Sequence, residues 1–191
     1  MFVTAYMSLP AAGQRWRSRA LATGLLAMWL LAVFPGAAAA DDSERFLAAS
    51  AGAFDIFDDQ TAAEGRVEYW SDYVLLDLWG AGDVRPFAGV MFTSDWAAYG
   101  YAGVRVGFPL GDRWAFTFSF APGAFDKGDG KDLGYGLEFR SQVEMNYRLA
   151  NGARLGLAFS HMSNASLGRG NPGAESLVLT YALPFSGLLG D

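Results

Sequence analysis

The 191-residue chain has no cysteine and a single histidine. A small fold stapled by disulfides is therefore excluded, and a zinc site of His and Cys ligands has nothing to draw on. CxxC, HExxH, P-loop and Rossmann signatures are absent, and no repeat of fixed period is evident. Positive charge is also scarce. All 20 acidic residues but only 11 of the 14 basic ones lie beyond Ala40, leaving that part of the chain with a formal charge of −9. Such a balance argues against a nucleic-acid partner, which would call for a basic stripe. Beyond Ala40 there is no apolar run long enough for a membrane-spanning helix.

The first 40 residues read as an address. Arg15, Arg17 and Arg19 precede the apolar run Ala20 to Phe34, and Ala38-Ala39-Ala40 meets the small-residue cleavage rule. The expectation is a removed signal peptide over residues 1–40, cleaved before Asp41, followed by one domain over residues 41–191. An uncleaved anchor is the alternative, for which the run is short. Either Met1 or Met7 is the start, a choice the sequence leaves open.

What the remainder does have is glycine and aromatic residues spaced through alternating runs, a β signature with frequent turns. Eight strands are expected, at about Arg45–Phe57, Gly65–Leu76, Arg85–Thr93, Ala98–Phe108, Trp114–Ala121, Leu133–Arg148, Ala153–Ser163 and Glu175–Phe185. In the fifth, Trp114, Phe116, Phe118 and Phe120 alternate with Ala115, Thr117, Ser119 and Ala121. In the sixth, Leu133, Tyr135, Leu137, Phe139, Val143, Met145 and Tyr147 share one face, and Glu138, Arg140, Gln142, Glu144, Asn146 and Arg148 the other. Asn151-Gly152 signals a type I′ hairpin. Short connections at residues 109–112 and at Asn151-Gly152 alternate with longer ones at residues 121–132 and 164–174.

These features predict an all-β fold, an eight-stranded antiparallel up-and-down transmembrane barrel. A soluble barrel with apolar residues inside is the alternative. The fifth strand favours the membrane, because its non-aromatic face is nearly free of charge while its Trp/Phe stripe suits a lipid-facing wall. Trp114, Tyr147, Tyr181 and Phe185 would then form interfacial girdles, and Glu138, Arg140, Glu144 and Arg148 would fill the lumen as ion pairs. The loop Asp126–Asp132 is rich in acid but lacks the spacing and closing glutamate of an EF-hand, and reads as a solvated loop.

The densest chemistry lies between Ala153 and Phe185. Period-2 reading puts Leu155, Leu157, Phe159, His161 and Ser163 on one face of the seventh strand, and Glu175, Leu177, Leu179, Tyr181, Leu183 and Phe185 on one face of the eighth. In an antiparallel hairpin a base, a hydroxyl and a carboxylate then meet at the loop end, on faces otherwise apolar. A serine needs an adjacent base, and the base an orienting partner. Acyl transfer also needs donors for an oxyanion, for which Asn164, Asn171 and the loop Gly168–Gly173 are candidates. Met162, of opposite parity, should pack into the lumen. A histidine beside a serine is more often a packed pair than a catalytic one, so a non-catalytic barrel stays open at this level.

His161-Met162-Ser163-Asn164-Ala165, Asn171-Pro172-Gly173 and Glu175-Ser176, with the preceding FRSQVEMNYRL strand, resemble the signature of PagL-type lipid A 3-O-deacylases, in the acyloxyacyl hydrolase-like group of outer-membrane barrels. The resemblance is strongest over the last 50 or so residues. It implies Ser163 as nucleophile, His161 as base and Glu175 as its orienter, with Asn171 and Asn164 in oxyanion or supporting roles. It also implies hydrolysis of the ester-linked 3-hydroxyacyl chain at position 3 of lipid A, in lipopolysaccharide of the bacterial outer membrane, with no cofactor or metal. The expected partners are that substrate and the membrane's lipids, and a homodimer is among the assemblies left open. An esterase acting on another membrane lipid is the rival the triad alone does not exclude. The final Tyr181-x-x-x-Phe185 resembles the terminal pattern of outer-membrane barrels, although residues 186–191 follow it.

Overall fold

A computed structural model describes residues 45–186. The expected signal peptide lies outside the described residues. Eight long strands, β1 (Phe46–Phe54), β2 (Ala62–Trp70), β4 (Asp83–Thr93), β5 (Ala98–Leu110), β6 (Trp114–Asp126), β7 (Leu137–Arg148), β8 (Arg154–Ser163) and β9 (Ala174–Pro184), are joined by one two-residue strand, β3 (Leu76–Asp77). Each long strand pairs antiparallel with its neighbours. The β1–β9 and β2–β4 pairings close the sheet, while β3 extends the β4 edge at the rim. Closure leaves no unpaired sheet edge, the condition for a β structure to sit in lipid. Among the described residues no helix is long and apolar enough to cross a membrane.

Side-chain parity decides what faces where. On β8 and β9 the exposed residues include Leu155, Leu157, Leu177 and Leu179, whereas Ala158, Ser160, Met162, Ser176, Val178 and Thr180 are buried. On β6 the Trp/Phe stripe turns outward and Thr117, Ser119 and Ala121 turn inward. The barrel is thus inside-out relative to a soluble one: greasy wall, polar interior. Trp114 packs edge-on against Tyr147, and Tyr69 against Phe185, at the turn end of the wall, where girdle residues belong.

The lumen is closed by ion pairs and ring contacts between distant strands. Arg140 Nη2 donates to Glu68 Oε1 at 2.6 Å and its Nη1 to the Tyr101 hydroxyl at 2.9 Å. Its guanidinium also lies 4.1 Å from the Tyr101 ring centroid. Arg66 bridges Glu64, Gln142 and Ser160, and Arg105 sits over the Trp70 ring. Sequence parity placed Arg140 in the lumen as expected, with its partner on β2. Because Glu68 is buried, removing its arginine strands a charge. Arg140→Met is expected to destabilise the barrel by about 3–5 kcal/mol. The loss should appear as a lower temperature at which the folded, fast-migrating form disappears on an electrophoretic gel. Adding Glu68→Gln should recover part of it.

Several boundaries differ from the sequence reading. β2 ends at Trp70 instead of continuing to Leu76, and Ser71 to Leu75 bend away before β3. β6 runs five residues past Ala121, pairing Ala124 with Leu137. The β7 strand consequently starts at Leu137, and Leu133 folds in as a buried loop residue instead of joining the outer face. The Asn151-Gly152 hairpin is not a type I′ turn. Of the two residues only Gly152 has a left-handed backbone (φ 81°). Gly152 N donates to Leu149 O at 3.1 Å and Leu149 N to Ala153 O at 2.8 Å. This is a three-residue loop with a glycine bulge, in which one left-handed position suffices and Asn151 is spent accepting from Ala153 N. Nor does loop length alternate strictly: the β2–β4 connection is long at the turn end, and the β4–β5 one short at the other.

Candidate active site

β8 and β9 form the expected antiparallel hairpin, and their register sets His161 directly opposite Glu175. Both side chains face out of the barrel. His161 Nδ1 lies 2.9 Å from Glu175 Oε1, with 38% and 27% of the two side chains exposed. A carboxylate only accepts, so the ring donates its Nδ1–H, and Nε2 is left with a lone pair that can accept a proton. Ser163 follows two residues along the same face. The structure does not draw its Oγ into a hydrogen bond with the ring; strand geometry alone holds the two as same-face neighbours, about 7 Å apart at Cβ.

Glu175 is held from more than one side. Ile56 N donates to its carbonyl at 3.1 Å, and Phe57, next along that loop, packs its ring against Phe159. Further out, Lys131 Nζ reaches Asp55 Oδ1 at 2.8 Å and Asp58 Oδ2 at 3.0 Å, tying the β6–β7 loop to the β1–β2 loop. The hydrogen bond from Lys131 holds the Asp58 carboxyl below its ordinary value. The acids of this region therefore engage lysines; among the described residues none group as a metal site.

The two asparagines play unequal parts. Asn164 is buried, and its Nδ2 donates to Leu133 O and Gly170 O, both at 2.8 Å. Its backbone N–H donates to Asn171 Oδ1 at 2.9 Å. Asn164 is thus committed to fastening loops, while Asn171 engages its oxygen, and its Nδ2 has no protein partner among the described residues. Behind Asn164 the chain reverses through Ala165 and Ser166, both left-handed (φ 52° and 65°). Each such residue costs on the order of 1 kcal/mol, which the Asn164 contacts help to offset.

Ser141 escaped the sequence reading, and Gly173 entered it only as part of the loop Gly168–Gly173. Ser141 on β7 is the cross-strand partner of His161, as Phe139 is of Ser163; only register reveals this. Gly173 is left-handed (φ 69°), and a Cβ there would lie 2.9 Å from His161 Cε1. The sequence reading placed this glycine in the long loop but gave no sign that it closes over the imidazole. Gly173→Ala is expected to tilt the ring and lower turnover about 100-fold while leaving the barrel folded, measured as initial rates beside gel mobility.

A closed antiparallel barrel with an apolar wall and an ion-paired interior defines this as a transmembrane β-barrel, one that carries a histidine–carboxylate pair on its outer surface. The chain belongs to the lipid A 3-O-deacylase (PagL) family, whose profile its residues 59–184 match. It is 34% identical over 55 residues to the lipid A deacylase PagL of Bordetella bronchiseptica, a match spanning 29% of this chain and 31% of that protein. Among solved structures it resembles the outer membrane enzyme PagL, with a TM-score of 0.55 and 24% identity over 73% of this chain and 99% of the other. It also resembles a de novo designed transmembrane β-barrel, with a TM-score of 0.52 and 8% identity over 74% and 95% of the two chains. These two likenesses bear on the fold.

Proposed function

We propose that the chain is an outer-membrane serine esterase that hydrolyses the ester-linked 3-hydroxyacyl chain at position 3 of lipid A. The observation that carries this is the His161–Glu175 hydrogen bond on the lipid-facing wall, with Ser163 next to it. Family membership supplies the substrate class. The location agrees with it, because an acyl chain embedded in the outer leaflet would lie along the apolar stripes of β8 and β9, beside the Phe139 and Phe120 rings stacked at 6.0 Å.

In this mechanism His161 Nε2 takes the proton of Ser163 Oγ as the oxygen attacks the ester carbonyl. The Ser163–His161 contact tightens on substrate binding, as catalytic hydrogen bonds often do. Glu175 fixes the tautomer and stabilises the imidazolium. Asn171 Nδ2 donates to the tetrahedral oxyanion. Collapse of that intermediate breaks the ester bond, and the imidazolium protonates the departing sugar oxygen, leaving an acyl-Ser163. Water, deprotonated by His161, then attacks the acyl carbonyl; the acyl–Oγ bond breaks, the imidazolium returns its proton to Ser163 Oγ, and the 3-hydroxy fatty acid is released. The signal peptide over residues 1–40 completes the reading as the export device.

The test is mass spectrometry of lipid A from cells expressing the chain. Loss of a single 3-hydroxyacyl group from position 3 is the expected result. Unchanged lipid A with the barrel folded in the outer membrane would refute the substrate assignment, and release of fatty acid from phospholipids instead would transfer it to that lipid class.

A further inference from the structure

The longest connection at the turn end of the barrel joins β2 to β4 and contains β3. Its side chains are apolar and stand out from the protein: Tyr73, Leu75, Leu76 and Trp79 are 66%, 52%, 57% and 95% exposed. The backbone beneath them is fastened. Past Trp70, where β2 ends, the facing edge of β4 would be bare, and this segment fills it. Ser71 N, Leu75 N and Leu78 N donate to the carbonyls of Pro86, Val84 and Gly82 at 3.2, 2.9 and 2.9 Å. These are the alternate carbonyls that point to one edge of a strand. The carboxylates are engaged as well. Asp72 pairs with Arg45, Asp83 with Arg85, and Asp77 accepts from Gly80 N at 2.8 Å.

Register shows which surface the segment continues. Leu76 pairs with Val84, Val84 with Val106, and Val106 with Phe118. Directly paired residues present their side chains on the same face, so Leu76 stands in one row with a member of the lipid-facing β6 stripe. That row lies inside the belt, because Trp114, four residues nearer the same rim on β6, is the girdle residue packed on Tyr147. The next pair, Asp77 and Asp83, faces the other way. An apolar patch that prolongs a lipid-facing wall fits a leaflet better than water, and a sheet edge within lipid must have its carbonyls met, as these are. Trp79 lies at the hairpin tip, three residues beyond Leu76, and an indole favours the boundary between hydrocarbon and headgroups. We propose that the Ser71–Gly82 hairpin is a lipid-binding element, with Leu76 in the hydrocarbon of the leaflet away from His161 and the Trp79 ring at that leaflet's phospholipid headgroups. The proposal stands apart from the esterase reading.

The chain has no cysteine, so a nitroxide can be attached at one chosen position of the full chain, folded into vesicles of phosphatidylcholine and phosphatidylglycerol. Relaxation of the label by oxygen, which partitions into lipid, is compared with relaxation by a water-soluble nickel chelate. Leu179→Cys on the outer wall of β9 is the lipid reference and Asp129→Cys in the β6–β7 loop the water reference. The oxygen-to-nickel ratio of Leu76→Cys should fall within about threefold of the Leu179→Cys ratio, as for two sites in one hydrocarbon layer. Trp79→Cys should fall between the two references. Footprinting of the parent chain by hydroxyl radicals needs no substitution and decides the matter if a labelled variant does not fold. Leu76 and Leu167 are leucines of equal exposure, 57% and 58%, and in vesicles Leu76 should be oxidised far less than Leu167. A nickel-accessible label at Leu76, or equal oxidation of the two leucines, would put the hairpin in water and overturn the proposal. A label shielded from both reagents and broadened by spins on a neighbouring copy would assign the surface to a second chain, and would overturn it equally.

Discussion

Ser163→Ala should abolish deacylation while leaving the barrel intact. Ser163 is half-buried on the outer wall and its hydroxyl is small and without a hydrogen-bond partner among the described residues, so its loss opens no large cavity and strands no buried partner, and folding and outer-membrane insertion should be unchanged. Catalysis has no substitute. Ser141, the cross-strand neighbour of His161, also carries a hydroxyl, yet it sits one strand away on β7, outside the β8–β9 loop from which the proposed oxyanion donor, Asn171, would come. Removal of a triad nucleophile costs on the order of 10⁴- to 10⁶-fold in rate. Lipid A from cells expressing Ser163→Ala should therefore keep its full acyl complement by mass spectrometry, and Ser141→Ala should show the same product as the parent. Deacylation surviving in Ser163→Ala and vanishing in Ser141→Ala would exchange the two roles.

Glu175→Gln should cause the second-largest loss. The isosteric amide keeps the side-chain volume and the hairpin contacts, so stability should change little. The amide NH2 turned toward Nδ1 would favour the tautomer with the proton on Nε2, which can no longer accept from Ser163. A fully buried orienter is worth about 10⁴-fold; here part of the carboxylate is exposed on the outer wall of the barrel, and a loss between about 10² and 10⁴ is expected. The measurement is kcat and KM with purified protein and lipid A. The fall should be in kcat, since Glu175 takes no part in holding the acyl chain. An unchanged kcat would remove Glu175 from the mechanism.

Which residues would face lipid was readable from the sequence, because side-chain parity along a strand is local: the β6 aromatic stripe and the β8 and β9 leucines needed no knowledge of their neighbours. The same rule placed His161, Ser163 and Glu175 outward and Met162 inward. It failed where a run was not straight strand. Leu133 had the parity of the β7 outer face, but the strand begins four residues later and Leu133 is buried in the loop that fastens Asn164. Turn chemistry was half legible. Asn151-Gly152 signalled a tight hairpin, yet its type depended on the strand register it had to close.

By itself, then, the sequence determined the inside-out alternation, the hairpin bearing the base, hydroxyl and carboxylate, and the family-like spacing of His161, Ser163, Asn171 and Glu175. Only the tertiary structure decided who meets whom. Cross-strand register set His161 against Glu175, and barrel closure brought Arg140 to a glutamate 72 residues away. Loop packing tied Asn164 to Leu133 and Gly170 and laid Gly173 against the imidazole. The physical reason is one of range. Facing follows from the two-residue period of a strand, whereas pairing follows from the shear of a closed sheet and the collapse of its loops, which no single segment encodes.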